Sequence, residues 1–327
     1  YKRQPLNNPD GYSYDDADIY VSVLDPAAEG DAQLAYSTYL GGALRDLVDD
    51  AVTVGENEVV VVGLSQSSDF PVSSNALQGA LNPGATQNVV VVQLQTDAGL
   101  SSAEQLEYAS YLGGSGRDSA NAVYLMGCDD LVVGGVTSSS DYPTTDGSTF
   151  QGETDMFMTR MDLSQMPADQ IVFSTLLGGS AGEGLLAGVV GHGGPIVFFG
   201  GTTQSADFPN SAGTVDPAYD GTDYDGLVGR FDLSGLYDPG AEVLEWASYW
   251  GGDKYEVGEA VALAPDGTVL VAGFTLVFAP PWTDIDGFVA RFSVDGTQLL
   301  NEAFLAGDGI DGAFGVSMDA ALSLIHI

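Results

Sequence analysis

Three aspartates stand at one place of a recurring motif: Asp69 in SQSSDFP, Asp141 in TSSSDYP and Asp207 in TQSADFP. Carboxylates repeated around a ring could line a metal or sugar site. An Asp just before an aromatic–Pro step also commonly closes a turn through backbone groups. The turn role is the leading expectation, and Asp69, Asp141 and Asp207 are the weak candidates for binding.

The other chemically capable residues give less. The run DPAYDGTDYDG (216–226) is rich in acids but lacks the Asp-x-Asp-x-Asp-Gly spacing of a calcium loop. It reads as a solvated loop, with adventitious calcium the second reading; no other cofactor is implied. Cys128 in MGCDD and His192 in GHGGP both read as turn residues. A cysteine nucleophile would need a histidine beside it. With 46 acids in the chain, paired carboxylates for glycoside hydrolysis are conceivable, but no pair is marked by spacing. A catalytic set is therefore not expected.

Charge narrows the partners. The 46 acids face 8 bases, a net charge of −38. Such a field repels phosphate backbones and anionic lipid, which argues against nucleic acid. The longest apolar runs, VVVV at 59 and at 89, are strand-sized, so no membrane insertion is expected of this stretch. A protein or polysaccharide partner remains. The single cysteine excludes an internal disulfide framework.

Residues 1–4 (YKRQ) and 322–327 (LSLIHI) match translations of opposite strands of one transposon-derived sequencing tag. They are read as scars at both ends of a piece of a longer protein.

The elements that position the aspartates come from a repeat. YSTYLGGALRD at 36 returns as YASYLGGSGRD at 108, FSTLLGGSAGE at 173 and WASYWGGDKYE at 246, with FLAGDG at 304 a weaker fifth. An acid follows the second glycine by four residues: Asp46, Asp118, Glu183, Glu256 and Asp311. A strand with small residues comes next (AVTV at 51, AVYL at 122, AVAL at 260), then a Val- or Phe-rich strand ending near Gly-x-Ser/Thr, then the aspartate loop. A third strand follows (NVVVVQLQ at 88, DMFMTRMD at 155, DGLVGRFD at 225, DGFVARFS at 286), and the opening phrase is the fourth.

Four short antiparallel strands per unit predict an all-β fold, a β-propeller of four-stranded blades, with a β-solenoid as rival. The strands lack apolar–polar alternation, so both faces of each sheet should be buried. Tyr108 and Tyr111 are an odd number apart and should point to opposite faces. The small-residue strand should lie nearest the hub and the aromatic strand outermost, with Gly-Gly letting the chain turn back inward. The units run 46–112, 118–177, 183–250 and 256–305, with the last two strands of a truncated blade at 5–45 and the first strand of another at 306–321. They form an open arc of a larger ring.

The bases outside the tag also recur by position: Arg160, Arg230 and Arg291 in the third strand, and Arg45, Arg117 and Lys254 just after Gly-Gly. In so acidic a chain each should answer a nearby acid, for structure rather than for a ligand.

Taken together, the YSTYLGG phrase, the following acid, the Gly-x-Ser/Thr strand end, the SxxDFP loop and the Asp-x-Phe-Val-x-Arg strand resemble the bacterial SBBP-type β-propeller repeat family over residues 16–320. The fourth unit departs from the pattern, with Ala279, Pro280 and Pro281 in place of Asp, an aromatic and Pro. The resemblance implies a secreted or cell-surface protein and carries over no active site. It favours a non-catalytic binding or scaffolding module; the alternative is a carbohydrate-active propeller enzyme, a glycoside hydrolase or polysaccharide lyase.

Overall fold

The computed structural model describes residues 17–184, 188–191, 194, 196–211, 213–219, 224–233, 244–252, 255–276, 285–305, 307, 310–318 and 324–326. His192, Lys254, the Ala279–Pro281 departure and the tag residues 1–4, 322, 323 and 327 lie outside them.

Val-rich runs form strands because β-branched side chains fit a pleated surface packed on both sides. A first antiparallel pair, β1 (Ile19–Leu24) and β2 (Leu34–Leu40), is followed by four larger sheets. The first large sheet is β3 (Asp46–Thr53), β4 (Glu58–Ser65), β5 (Asn88–Gln95) and β6 (Leu106–Leu112). The second is β7 (Asp118–Leu125), β8 (Asp130–Thr137), β9 (Asp155–Asp162) and β10 (Ile171–Leu177). In the third, the first strand is split into β11 (Glu183–Gly184) and β12 (Val189–Gly191), followed by β13 (Ile196–Thr203), β14 (Asp225–Asp232) and β15 (Leu244–Trp250). The fourth is β16 (Tyr255–Leu263), β17 (Val269–Leu276), β18 (Ile285–Phe292) and β19 (Leu299–Leu305). A short pair closes the series, β20 (Ser317–Met318) with β21 (Leu324–His326). Within each large sheet the described strands pair antiparallel with their neighbours in the chain, apart from the split first strand, so each is a meander; isolated parallel bridges such as Gln87 with Arg117 join successive sheets.

The middle strands are largely buried on both faces, whereas β19, the outer strand of the fourth sheet, is exposed at all seven residues. β5 is buried along seven of its eight residues. Alternate residues serve opposite neighbours: Val89 and Val91 pack with Val133 and Phe157 of the second sheet, while Val90 and Val92 pack with Ile19 and Leu40 of β1 and β2. Tyr108 joins the first group and Tyr111 the second, as their odd separation requires. Met156 and Met158 of the second sheet meet Phe199 and Leu227 of the third. Phe198 and Val228 of the third meet Val271 and Phe288 of the fourth. Among the described residues nothing comparable covers the outer face of the first pair, where Tyr20 and Tyr39 are 68% and 50% exposed.

The first strands approach one another. Val123 of β7 donates its N–H to Asp50 Oδ2 of β3 at 2.9 Å. A methyl group added at Gly188, just before β12, would lie 3.7 Å from both Ala122 of β7 and Val261 of β16. First-strand residues of the second, third and fourth sheets thus meet at one point. Sheets stacked along a line, about 10 Å apart, would hold the second and fourth about 20 Å from each other.

A bulge in the first strand recurs at Val48/Asp50, Ala120/Ala122 and Gly258/Ala260. Opposite each stands a glycine of the second strand: Gly63, Gly135 and Gly273. A Cβ on these would come within 2.0, 2.1 and 1.8 Å of a backbone carbonyl oxygen of the bulged strand. The extra residue drives the bulged backbone toward its partner, and only glycine leaves room.

At the outer edge the aromatic strand is pinned to the following unit. Tyr36 donates to Gln105 Oε1 at 3.3 Å, Tyr108 to Gln170 Oε1 at 2.9 Å, and Trp246 Nε1 to the Val294 carbonyl at 3.0 Å. Each partner belongs to the loop joining the third and fourth strands of the next sheet. Tyr108→Phe, keeping the ring and losing the bond to Gln170 and the long one accepted from Leu77 N–H at 3.5 Å, is expected to cost about 1 kcal/mol in urea unfolding.

Candidate functional site

The repeated acids converge on the Gly-Gly corners, where the chain leaves an aromatic strand for the next sheet. At the corner after β6, three consecutive N–H groups are held by three side chains. Gly114 donates to Asp118 Oδ2 at 2.8 Å, Ser115 to Asp141 Oδ1 at 2.7 Å and Gly116 to Ser139 Oγ at 2.8 Å. After β2 the same positions are Gly42 to Asp46 at 2.7 Å, Ala43 to Asp69 at 2.8 Å and Leu44 to Ser67 at 2.8 Å. After β10 they are Gly179 to Glu183 at 3.2 Å, Ser180 to Asp207 at 2.8 Å and Ala181 to Ser205 at 2.9 Å. Successive N–H groups of this kind make a concavity that attracts anions. Here the protein's own carboxylates fill it.

Asp69, Asp141 and Asp207 are thus turn residues of an unexpected kind. Each closes the Gly-Gly corner 26 or 27 residues upstream. Local turn chemistry alone does not foresee this, because the corner and its lid lie far apart in sequence. The backbone N–H of Ser115 holds the Asp141 carboxyl below the usual carboxylate range, and that of Ser180 does the same for Asp207. The three aspartates sit one to a corner. Among the described residues, no three Asp, Glu, His or Cys side chains are grouped to hold a metal ion.

The glycines are explained by crowding. A Cβ on Gly113 would lie 2.2 Å from Asp118 Oδ2, and one on Gly114 would lie 2.4 Å from Asp141 Oδ1. The pair is small because a carboxylate presses on each of its members, which adds to the turning role expected from sequence.

The acid four residues after Gly-Gly has the largest structural role. Asp118 is fully buried, and its carboxylate accepts from Gly114 N–H, Ser139 Oγ at 3.0 Å, Asn88 Nδ2 at 2.8 Å and Thr137 Oγ1. Burial pushes its carboxyl up while these donors pull it down. Its spacing is visible in the sequence, but this role emerges only from the fold. Next to it, Asp46, Asp118, Glu183, Glu256 and Asp311 each donate their N–H to the carbonyl of the residue before the third-strand acid or amide: Ala17, Gln87, Thr154, Tyr224 and Ile285. One junction is built five times.

The aromatic residues of the first and third aspartate loops pack on an outer-strand tyrosine, while Tyr142 of the second stacks on Phe157 at 4.7 Å. Phe70 meets Tyr111 edge-on at 5.9 Å, and Phe208 meets Tyr249 at 6.4 Å. Tyr249 donates its hydroxyl to the Ser205 carbonyl at 2.9 Å, and Tyr111 does so to that of Ser67. Burial pushes both tyrosine hydroxyls up to about 12.

The third-strand arginines lie toward the opposite end of the sheets and answer acids. Arg160 forks onto Asp130 through Nε at 2.9 Å and Nη2 at 2.6 Å, Arg230 meets Glu245 at 2.8 Å and Arg291 meets Asp266 at 2.6 Å. Arg117 instead reaches the amide oxygen of Gln87 at 3.4 Å. The Arg160 and Asp130 side chains retain 19% and 30% of their exposure, so Arg160→Ala should cost no more than about 1 kcal/mol, measured by urea unfolding with and without added salt. Cys128 is an exposed free thiol.

No protein-family model matches the chain, and no curated protein matches it.

Proposed function

We propose that the chain is an arc of a β-propeller of the SBBP-like type and acts as a non-catalytic binding or scaffolding module, secreted or held at a cell surface. Supporting the ring arrangement is the close approach of Ala122, Gly188 and Val261, which come from the first-strand segments of three successive sheets. The observation that carries the non-catalytic reading is the engagement of Asp69, Asp141 and Asp207 with backbone N–H groups of the corners. These acids make a stiff, repeated frame. The loops it displays would meet a protein or polysaccharide partner, and the net charge of −38 favours one without phosphate groups.

The test is a glycan-binding array run beside a product-release screen on polysaccharides, with the purified chain in both. Saturable binding without new reducing or unsaturated ends is the expected result. Release of either product would replace this reading with a hydrolase or a lyase.

A further inference from the structure

The five junctions are alike in backbone but differ in one side chain. At the start of the third strand the residue is Asp18, Asp155, Asp225 or Asp286, but Asn88 in the first large sheet. Asn88 shows what this position does: its Nδ2 donates to Asp118 Oδ2 of the next sheet at 2.8 Å and to the Gly114 carbonyl at 2.9 Å. The junction is therefore shaped around an N–H donor facing a carboxylate.

At the next junction a carboxyl occupies the donor's place. Asp155 is 1% exposed and Glu183 is 4% exposed. Asp155 Oδ1 and Glu183 Oε2 lie 2.2 and 2.7 Å from the one point that a Gly178 side chain would take. In the Asn88 junction the corresponding atoms, Asn88 Nδ2 and Asp118 Oδ2, lie 2.7 and 2.2 Å from the matching point on Gly113. Two buried carboxylates this close cannot both remain ionised at little cost.

The two acids are unequally served. Glu183 accepts from Thr203 Oγ1 at 2.8 Å and from Gly179 N–H at 3.2 Å. Asp155 Oδ2 accepts from Gln151 N–H at 2.8 Å, while Asp155 Oδ1 accepts no hydrogen bond. The charges acting on the pair are all negative: Asp155 feels Glu183, and Glu183 feels Asp207 in the loop after β13. Asp118 lies across Thr137 in the same sheet, and Glu153 nearby is exposed.

We propose that Asp155 is protonated in the folded protein and donates through Oδ1 to Glu183, in the manner of Asn88 to Asp118, so that this junction is a proton-dependent clasp between sheets. A metal ion would not serve the same frame, because the Asn88 amide turns two hydrogens, not a lone pair, toward it. Burial, reinforced by Glu183, pushes the Asp155 carboxyl up to about 7. The folded state thus holds a proton that the unfolded chain releases above about pH 4. The clasp's contribution is complete below that pH and is lost as pH rises through the folded value.

The experiment is urea unfolding of the wild-type chain, Asp155→Asn and Asn88→Asp at about pH 5 and about pH 8. Between these values the wild type should lose ten- to a hundredfold more in its folding equilibrium constant than Asp155→Asn, the range allowing for partial solvent screening. Asn88→Asp should resemble the wild type at the lower pH and lose more at the higher one. Parallel pH curves for wild type and Asp155→Asn would overturn the proposal. So would calcium stabilising the wild type, but not Asp155→Asn, at the higher pH. If the variants do not fold, the carboxyl carbon shift of Asp155 in the labelled wild type decides: a neutral acid near pH 5 supports the clasp, an ionised one overturns it.

Discussion

Gly135→Ala should cost more than about 3 kcal/mol and leave little folded protein. The new Cβ would lie 2.1 Å from the Ser119 carbonyl oxygen and 2.7 Å from the Phe157 ring. The carbonyl belongs to the bulged strand β7 and the ring to the buried face against the first sheet, so neither can retreat without opening a sheet or an interface. Gly127→Ala, in the turn joining β7 to β8, is the control. Its Cβ would meet only Asp130 Cβ at 3.6 Å, an ordinary contact, and its effect should stay within about 0.5 kcal/mol. Urea unfolding followed by tryptophan fluorescence measures both. Equal effects would mean that the bulge and its glycine do not hold the sheet.

Asp118→Ala should cost about 3–5 kcal/mol, because four donors lose a fully buried acceptor. Those donors come from three places: Gly114 in the corner, Thr137 and Ser139 around the aspartate loop, and Asn88 in the preceding sheet. Removing the carboxylate therefore loosens a loop and an inter-sheet junction together. Asp141→Ala removes an exposed carboxylate from the same corner and should cost about 1 kcal/mol. Unfolding midpoints of the two variants give the ratio. If Asp141→Ala proved the worse, the buried acid would not be the centre of the corner.

Much of this was legible because the repeat enforces it. The all-β class and the four-stranded antiparallel sheets follow from Val-rich runs returning at a fixed place in each unit. Burial of both faces follows from runs such as NVVVVQLQ, which have no polar alternation. The opposite facing of Tyr108 and Tyr111 needs only the two-residue period of a strand. The corner was not legible. Asp141 and Gly-Gly are separated by 26 residues, and nothing local tells that they touch. Nor does the sequence mark Asn88 as the counterpart of Asp155 in function, since the equivalence rests on two carboxylates meeting across a sheet junction.

Spin-label distances in a Cys128→Ser background test the proposed ring most directly. One label pair would sit at Ala51 and Ala260, on the first strands of the first and fourth large sheets; the other would sit at Glu107 and Leu300, on the outer strands of the same sheets. Sheets fanned about a hub require the Ala51–Ala260 separation to be clearly shorter than that between Glu107 and Leu300. Equal separations, or a shorter outer one, would contradict it.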